Sequence, residues 1–169
     1  MADLRTVLIN RLEMAWQTID FTVADLTDEQ LHQHPEGAQI GTPASIYLHV
    51  SWIEDMVVNQ MLQGIDTVYV RQGWAEKMPD APVHLGPSSL EWAVSVHLPA
   101  AATAMEYAAA VRAEVRTYIA NLSDEDLDTL VPWFVGEVPL AEVLSYFVWD
   151  VANHTGEIAA MRGLAGMKG

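Results

Sequence analysis

Apolar residues recur at spacings of three and four along most of the chain. Leu4, Leu8, Leu12, Ala15, Ile19 and Val23 form one stripe, which predicts a helix from Ala2 to about Val23. Ile46, His49/Val50, Ile53, Val57 and Met61 form a second. It opens on Thr42, whose hydroxyl can accept from a free N–H of the first turn, and on Pro43, whose missing N–H costs nothing there. Gly64 is placed to stop it. A third stripe runs through Ala102, Met105, Ala108/Ala109, Arg112, Val115, Ile119 and Leu122, starting near Pro99. The fourth, Leu140, Leu144, Phe147, Val151, His154, Ile158 and Met161, predicts a helix from Leu140 to about Leu164.

Shorter signals fill the connections. Thr27 and Gln30 have the spacing of a reciprocal helix-start cap, in the run Leu26–Leu31. The run Leu122–Leu127 repeats that pattern, either as a trace of two related helix pairs or as a common helix-start composition. Residues 32–41 are turn-rich, with Pro35, Gly37 and Gly41. Residues 65–87 hold three Pro and two Gly and predict a long surface crossover; Ser88 or Ser89 would then cap a short helix through His97. Gly136–Pro139 predicts a turn, and Val68-Tyr69-Val70 is the one strand-like triplet. The expectation is an all-α four-helix bundle with a long crossover between the second and third long helices and short extra helices. At 169 residues it should be one domain, 1–169.

Composition narrows the function. Hydrophobic residues make up 51% and cysteine is absent, which excludes disulfides, thiolate metal sites and a cysteine nucleophile. Lys+Arg total 8 against 23 Asp+Glu, a net charge of −15, with no clustered positive surface for nucleic acid or anionic lipid. No apolar run has the length of a membrane span, and Met-Ala-Asp-Leu-Arg does not open a signal peptide, so the expected location is cytoplasmic. Gly-rich phosphate loops, His-Glu-x-x-His, Gly-x-Ser-x-Gly and paired Glu-x-x-His motifs are all missing.

Two histidines occupy apolar positions. His49 lies between Ile46 and Ile53, and His154 between Val151 and Ile158. Asp150 precedes His154 by one helical turn, on the same face. A buried carboxylate needs a partner or a metal. One reading is a hydrogen-bonded Asp–His pair, or a carboxylate on the bundle edge, with an ordinary core histidine. The other is a three-ligand site with an open position, built between facing helices. Glu157 stands three residues beyond His154, as a base, as an acceptor for its ring, or as a solvent-facing side chain. Trp52 is a pocket wall or a core filler. Glu54 and Asp55 read as a solvated helix face or, alternatively, as partners behind the ligands, Asn153 as turned away from the site, and His32, His34, His84 and His97 as surface residues, with ligation as the alternative for His97. The eight Met fall at core spacing.

At this point the sequence resembles the DinB-type (DinB/YfiT-like) family of metal-dependent four-helix bundles. The resemblance rests on Asp150-Val-Ala-Asn-His154-Thr-Gly-Glu157 with the Arg162-Gly-Leu-Ala-Gly end, on Pro43-Ala-Ser-Ile-Tyr-Leu-His49-Val-Ser-Trp52-Ile-Glu54-Asp55, and on Tyr107-Ala-Ala-Ala-Val111-Arg112 with Leu122–Leu127. It spans nearly the whole chain. The family triad, one His from helix two and a His-x-x-x-His pair on the last helix, carries over to His49, Asp150 and His154, with Asp in place of the first His of the pair. The similar metal-binding domain of mycothiol-dependent maleylpyruvate isomerases accepts a carboxylate there. The resemblance implies a mononuclear divalent metal, zinc or nickel foremost, and catalysis aided by Glu157. It further implies a small-molecule substrate and a thiol S-transferase activating a low-molecular-weight thiol. The alternatives are a metal-dependent hydrolase or isomerase, and a non-catalytic, stress-related binding protein. A homodimer is the expected assembly.

Overall fold

The computed structural model describes residues 3–79, 90–98 and 100–168. Its long helices are α1 (Leu4–Val23), α3 (Pro43–Asp55), α6 (Ala101–Asn121) and α8 (Leu140–Leu164). Short helices α2 (Asp28–Leu31), α4 (Val68–Arg71), α5 (Leu90–Ser95) and α7 (Asp124–Asp128) occupy the connections. Helix α1 packs on α8 and α6, and α3 packs on α6 and α8, which is the expected all-α four-helix bundle. Among the described residues, no helix is long and apolar enough to cross a membrane.

The helix starts follow the predicted chemistry. The Thr42 hydroxyl accepts from the Ser45 N–H at 3.2 Å, with Pro43 in the first turn. Thr27 accepts from the Gln30 N–H while the Gln30 side chain accepts from the Thr27 N–H. Ser123 and Asp126 make the same reciprocal pair ahead of α7, so the repeated sequence has a repeated local structure. The proposed caps Ser88 and Ser89, with His84 and Pro99, lie outside the described residues.

Several stripes sit in a shifted register. Leu4 and Ala102 stay exposed, while Trp16, Ala104, Tyr107 and Val111 fill the core. The crossover is not a purely surface segment. Val68, Tyr69, Trp74 and Met78 are buried, and Val68-Tyr69-Val70 forms the helical turn α4 rather than a strand. The second long helix also changes pitch: beyond Asp55 it continues as a π-helical segment, Met56–Leu62, and ends at Gly64 with φ +67°, a conformation open to glycine.

Asp55 is the last residue before that change. It was expected on a solvated face and is fully buried. Its carboxylate accepts from Asn59 Nδ2 at 2.8 Å, from the Val68 and Tyr69 N–H groups at 2.8 and 3.0 Å, and from the Tyr107 hydroxyl at 2.8 Å. Two of these donors are free N–H groups at the start of α4, so one carboxylate pins the crossover to the core.

Glu54 is likewise buried, not solvated. Its Oε1 accepts from Trp16 Nε1 at 2.7 Å. Nearby, Arg112 donates to both oxygens of Asp20 at 2.9 and 2.8 Å, and the Tyr47 hydroxyl donates to Asp20 at 2.7 Å. The Arg112 guanidinium lies 5.5 Å from the Trp16 ring centroid and 5.9 Å from that of Tyr47. This set ties α1, α3 and α6 together at mid-height.

The chain also holds a β-hairpin, where only a turn was expected. Strands β1 (Leu130–Trp133) and β2 (Gly136–Pro139) pair antiparallel, Leu130 with Pro139 and Trp133 with Gly136. Phe134 and Val135 form the tip, and Gly136 takes φ +119°, a value side chains resist. The hairpin leans on α8 through Trp133, whose ring centroid is 5.3 Å from that of Tyr146.

Burial pushes the Glu54 carboxyl up to about 7, against the opposing pull of Arg112. The folded state therefore holds a proton that the unfolded chain releases from about pH 4.5. Stability from this group is full below that pH and is lost as pH rises to about 7, by roughly 3 kcal/mol. Glu54→Gln keeps an acceptor for Trp16 and removes the titration. Denaturant midpoints for wild type and variant should diverge between pH 4.5 and 7, with the variant the more stable at pH 8. Parallel curves would contradict the account.

Candidate metal centre

His49 projects from the middle of α3, and Asp150 and His154 project from α8 one turn apart. The two helices pack directly on each other. They bring together one donor atom from each of the three residues, all within 4.8 Å of one another. His154 Nε2 lies 3.6 Å from Asp150 Oδ1, and the rings of His49 and His154 meet edge to face with centroids 5.2 Å apart. Donors around a tetrahedral ion stand about 3.3 Å apart, so a small contraction would close the set.

Each donor is held ready. His154 Nδ1 lies 2.7 Å from Glu157 Oε2, a hydrogen bond that leaves Nε2 facing Asp150. A carboxylate on one ring nitrogen selects the tautomer whose other nitrogen can bind a metal. Tyr146 stands one turn before Asp150 on the same face of α8 and lines the same cleft. Burial raises the Asp150 carboxyl above its ordinary range, with the neighbouring His154 opposing. Burial and the adjacent His154 push His49 down to about 4, so it is neutral near pH 7, the form that ligates. Two imidazoles and one carboxylate, two of them only partly buried, fit a borderline divalent ion.

The triad forms part of the wall of an open cleft of about 820 Å³. Ile53 and Ala160 line it beside the donors, and Tyr146, Trp149 and Phe134 give it an aromatic side. A smaller cavity of about 230 Å³, lined by Ile46, Trp92 and Ser45, reaches His49 and His154 from the other side.

The remaining sequence candidates separate cleanly. Asn153 lines the cleft but is not among the converging donors. Trp52 is buried edge-on against Tyr69 at 5.9 Å and acts as core packing. His97 stays outside the donor set and stacks on His32 at 4.4 Å. His32 and His34 are half-buried rather than exposed: His32 Nε2 accepts from the Leu98 N–H, and His34 Nε2 lies 3.0 Å from the Ile40 carbonyl. Sequence reasoning missed Tyr146, Trp149 and Phe134. Tyr146 stands four residues before Asp150, a same-face spacing that was open to view.

In metal-free protein the His49 imidazole should titrate near 4 by NMR. Because its folded-state pKa lies below the unfolded value, the fold loses this contribution as pH falls from about 6.5 towards 4, opposite in sense to Glu54. A His49 midpoint near 6.5 would mean that the ring is not enclosed as described.

The comparisons bear on the fold and the family. A model of the DinB superfamily matches residues 11–158. The structure of a conserved protein from Enterococcus faecalis superposes with a TM-score of 0.83 over 96% of this chain and 96% of that one, at 21% sequence identity. A mutant of a mycothiol-dependent maleylpyruvate isomerase superposes with a TM-score of 0.61 at 13% identity, covering 94% of this chain but 63% of that one. A comparison with curated protein sequences found no match. At these identities the structural likenesses establish the shared fold. The family match covers most of the length, and the chain belongs to the DinB superfamily.

Proposed function

We propose that this protein is a mononuclear metal-dependent enzyme in which His49, Asp150 and His154 hold a divalent ion, zinc or nickel foremost. The observation that carries the reading is the convergence of three donors at the wall of an open cleft, rather than in a closed core. When bound, the ion would supply a Lewis acid that lowers the pKa of a thiol or a water. The favoured co-substrate is a low-molecular-weight thiol, in a thiol S-transfer. The carboxylate at position 150 and the likeness to a mycothiol-dependent isomerase support that choice. Water in the same place would make the site a hydrolase.

The chain's own residues set up the chemistry. His49 and His154 would bring neutral imidazole donors, and Asp150 the single negative charge among the ligands. Glu157 positions the His154 ring through its hydrogen bond and is the nearest carboxylate able to take a proton at the cleft edge. Tyr146 lines the cleft one turn from Asp150. Ile53, Trp149 and Phe134 give one side of the cleft an apolar lining.

His49→Ala and His154→Ala should each abolish stoichiometric metal uptake, measured by elemental mass spectrometry on tag-free protein. Glu157→Gln should retain the ion with affinity weakened about 10- to 100-fold. Asp150→His should retain it as well. Full occupancy in both alanine variants would refute the triad. For the reaction class, cobalt-substituted protein is mixed with a small thiol. A new near-ultraviolet sulfur-to-cobalt band supports thiol activation, and an unchanged spectrum favours water.

A further inference from the structure

The cleft carries information about what lies next to the metal-binding end of a ligand. Its outer side is aromatic. The Phe134 and Trp133 centroids are 4.7 Å apart, Trp133 and Tyr146 5.3 Å, and Tyr146 and Trp149 5.1 Å. The series runs from the hairpin tip to the residue beside Asp150. Two of its members that line the cleft are far from buried: Phe134 is 71% exposed and Trp149 58%. Large rings on a cleft wall lose water-facing apolar surface when a ligand covers them.

Charge gives the second constraint. The chain holds 8 Lys+Arg in all, and none of them lines the cleft. Arg5, Arg71, Lys77, Arg112, Arg116 and Arg162 are each engaged with a carboxylate elsewhere. Arg11 borders a separate depression between α1 and α8, and Lys168 stands at the end of the chain. Among the described residues, the charged groups that face the cleft are Asp150 and Glu157. With the ion's two charges set against these two carboxylates, the site has no positive charge to spare beyond the coordination position. A carboxylate or phosphate on the body of the ligand would find no counter-charge and would meet Glu157.

We propose that the cleft selects a ligand whose metal-binding end carries an uncharged aromatic or similarly flat apolar group, seated against Trp149 and Phe134, and that it rejects ligands bearing a further anionic group. The inference rests on the metal reading above and names the substrate class for that same site. It accounts for the conjunction of exposed rings, a roomy cleft and missing cations, which neither fold nor triad requires.

The test uses cobalt-loaded full-length protein and three probes sharing one metal-binding head: acetohydroxamate, benzohydroxamate and 4-carboxybenzohydroxamate. Affinities are read from the cobalt visible spectrum. Benzohydroxamate should bind at least tenfold tighter than acetohydroxamate, and the added carboxylate should cancel most of that gain. Trp149→Ala and Phe134→Ala, both at exposed positions, should keep cobalt and acetohydroxamate binding while losing the ring preference. Equal affinities for the first two probes, or tightest binding of the carboxylated one, would overturn the proposal. Absence of any spectral change with acetohydroxamate would overturn the open metal position itself, and this proposal with it. If the rings instead form an interface between copies, wild type would sediment as a dimer, Trp149→Ala as a monomer, and the ring preference would be missing. That result also overturns it.

Discussion

Helix α3 is buried on nearly every side, so each polar group it carries must find its partner inside the protein. Asp55 does so with four donors from three other segments, and in doing so fixes where the crossover re-enters the core. Glu54 does so with one oxygen, through Trp16, while its buried second oxygen has no partner and its carboxyl holds a proton to higher pH. His49 is the exception in one respect: it is half-buried, on the side where the bundle opens into the cleft. A helix enclosed this tightly cannot rotate to hide that ring or expose it, and the position of His49 opposite α8 is set by the same packing that buries its neighbours.

Helix α8 supplies the complementary constraint. Its apolar stripe, Leu144, Phe147, Val151 and Ile158, faces the core, and this turns Asp150 and His154 towards α3. Glu157 then reaches the His154 ring from the turn after it, and Tyr146 stands on the same face one turn before Asp150. Four residues spaced along one helix face thus bracket the two donors, with a hydrogen bond from His154 to Glu157 and a 3.6 Å approach of His154 to Asp150. The hairpin ahead of α8 adds the aromatic side of the cleft and is held in place by Trp133 on Tyr146. The same tyrosine therefore lines the cleft beside the ligand set and holds the wall.

Much of this was open to view in the residue pattern because it depends on local rules. Caps at Thr27, Thr42 and Ser123 follow from short-range hydrogen bonding, and the stripes follow from helical period. His49, Asp150 and His154 stood out as polar groups on apolar stripes, and the bundle brings them together. What escaped depends on tertiary partners. Glu54 and Asp55 look like surface acids until Trp16, Tyr107 and the start of α4 are placed beside them. The hairpin escaped because its strands are four residues each and interrupted by Pro132 and Pro139, leaving too little alternation to register. Its stability comes from α8 beneath it, which no local pattern reports.

The central claim is that this particular set, two imidazoles and one carboxylate, holds a single ion at an open position. The most direct measurement is X-ray absorption at the metal edge of tag-free protein loaded with one equivalent of zinc or nickel. The account predicts a first coordination sphere of nitrogen and oxygen only, with scattering from two imidazole rings and at least one exchangeable solvent oxygen. A sphere with no imidazole signature, or a closed one with every position taken by protein, would contradict it.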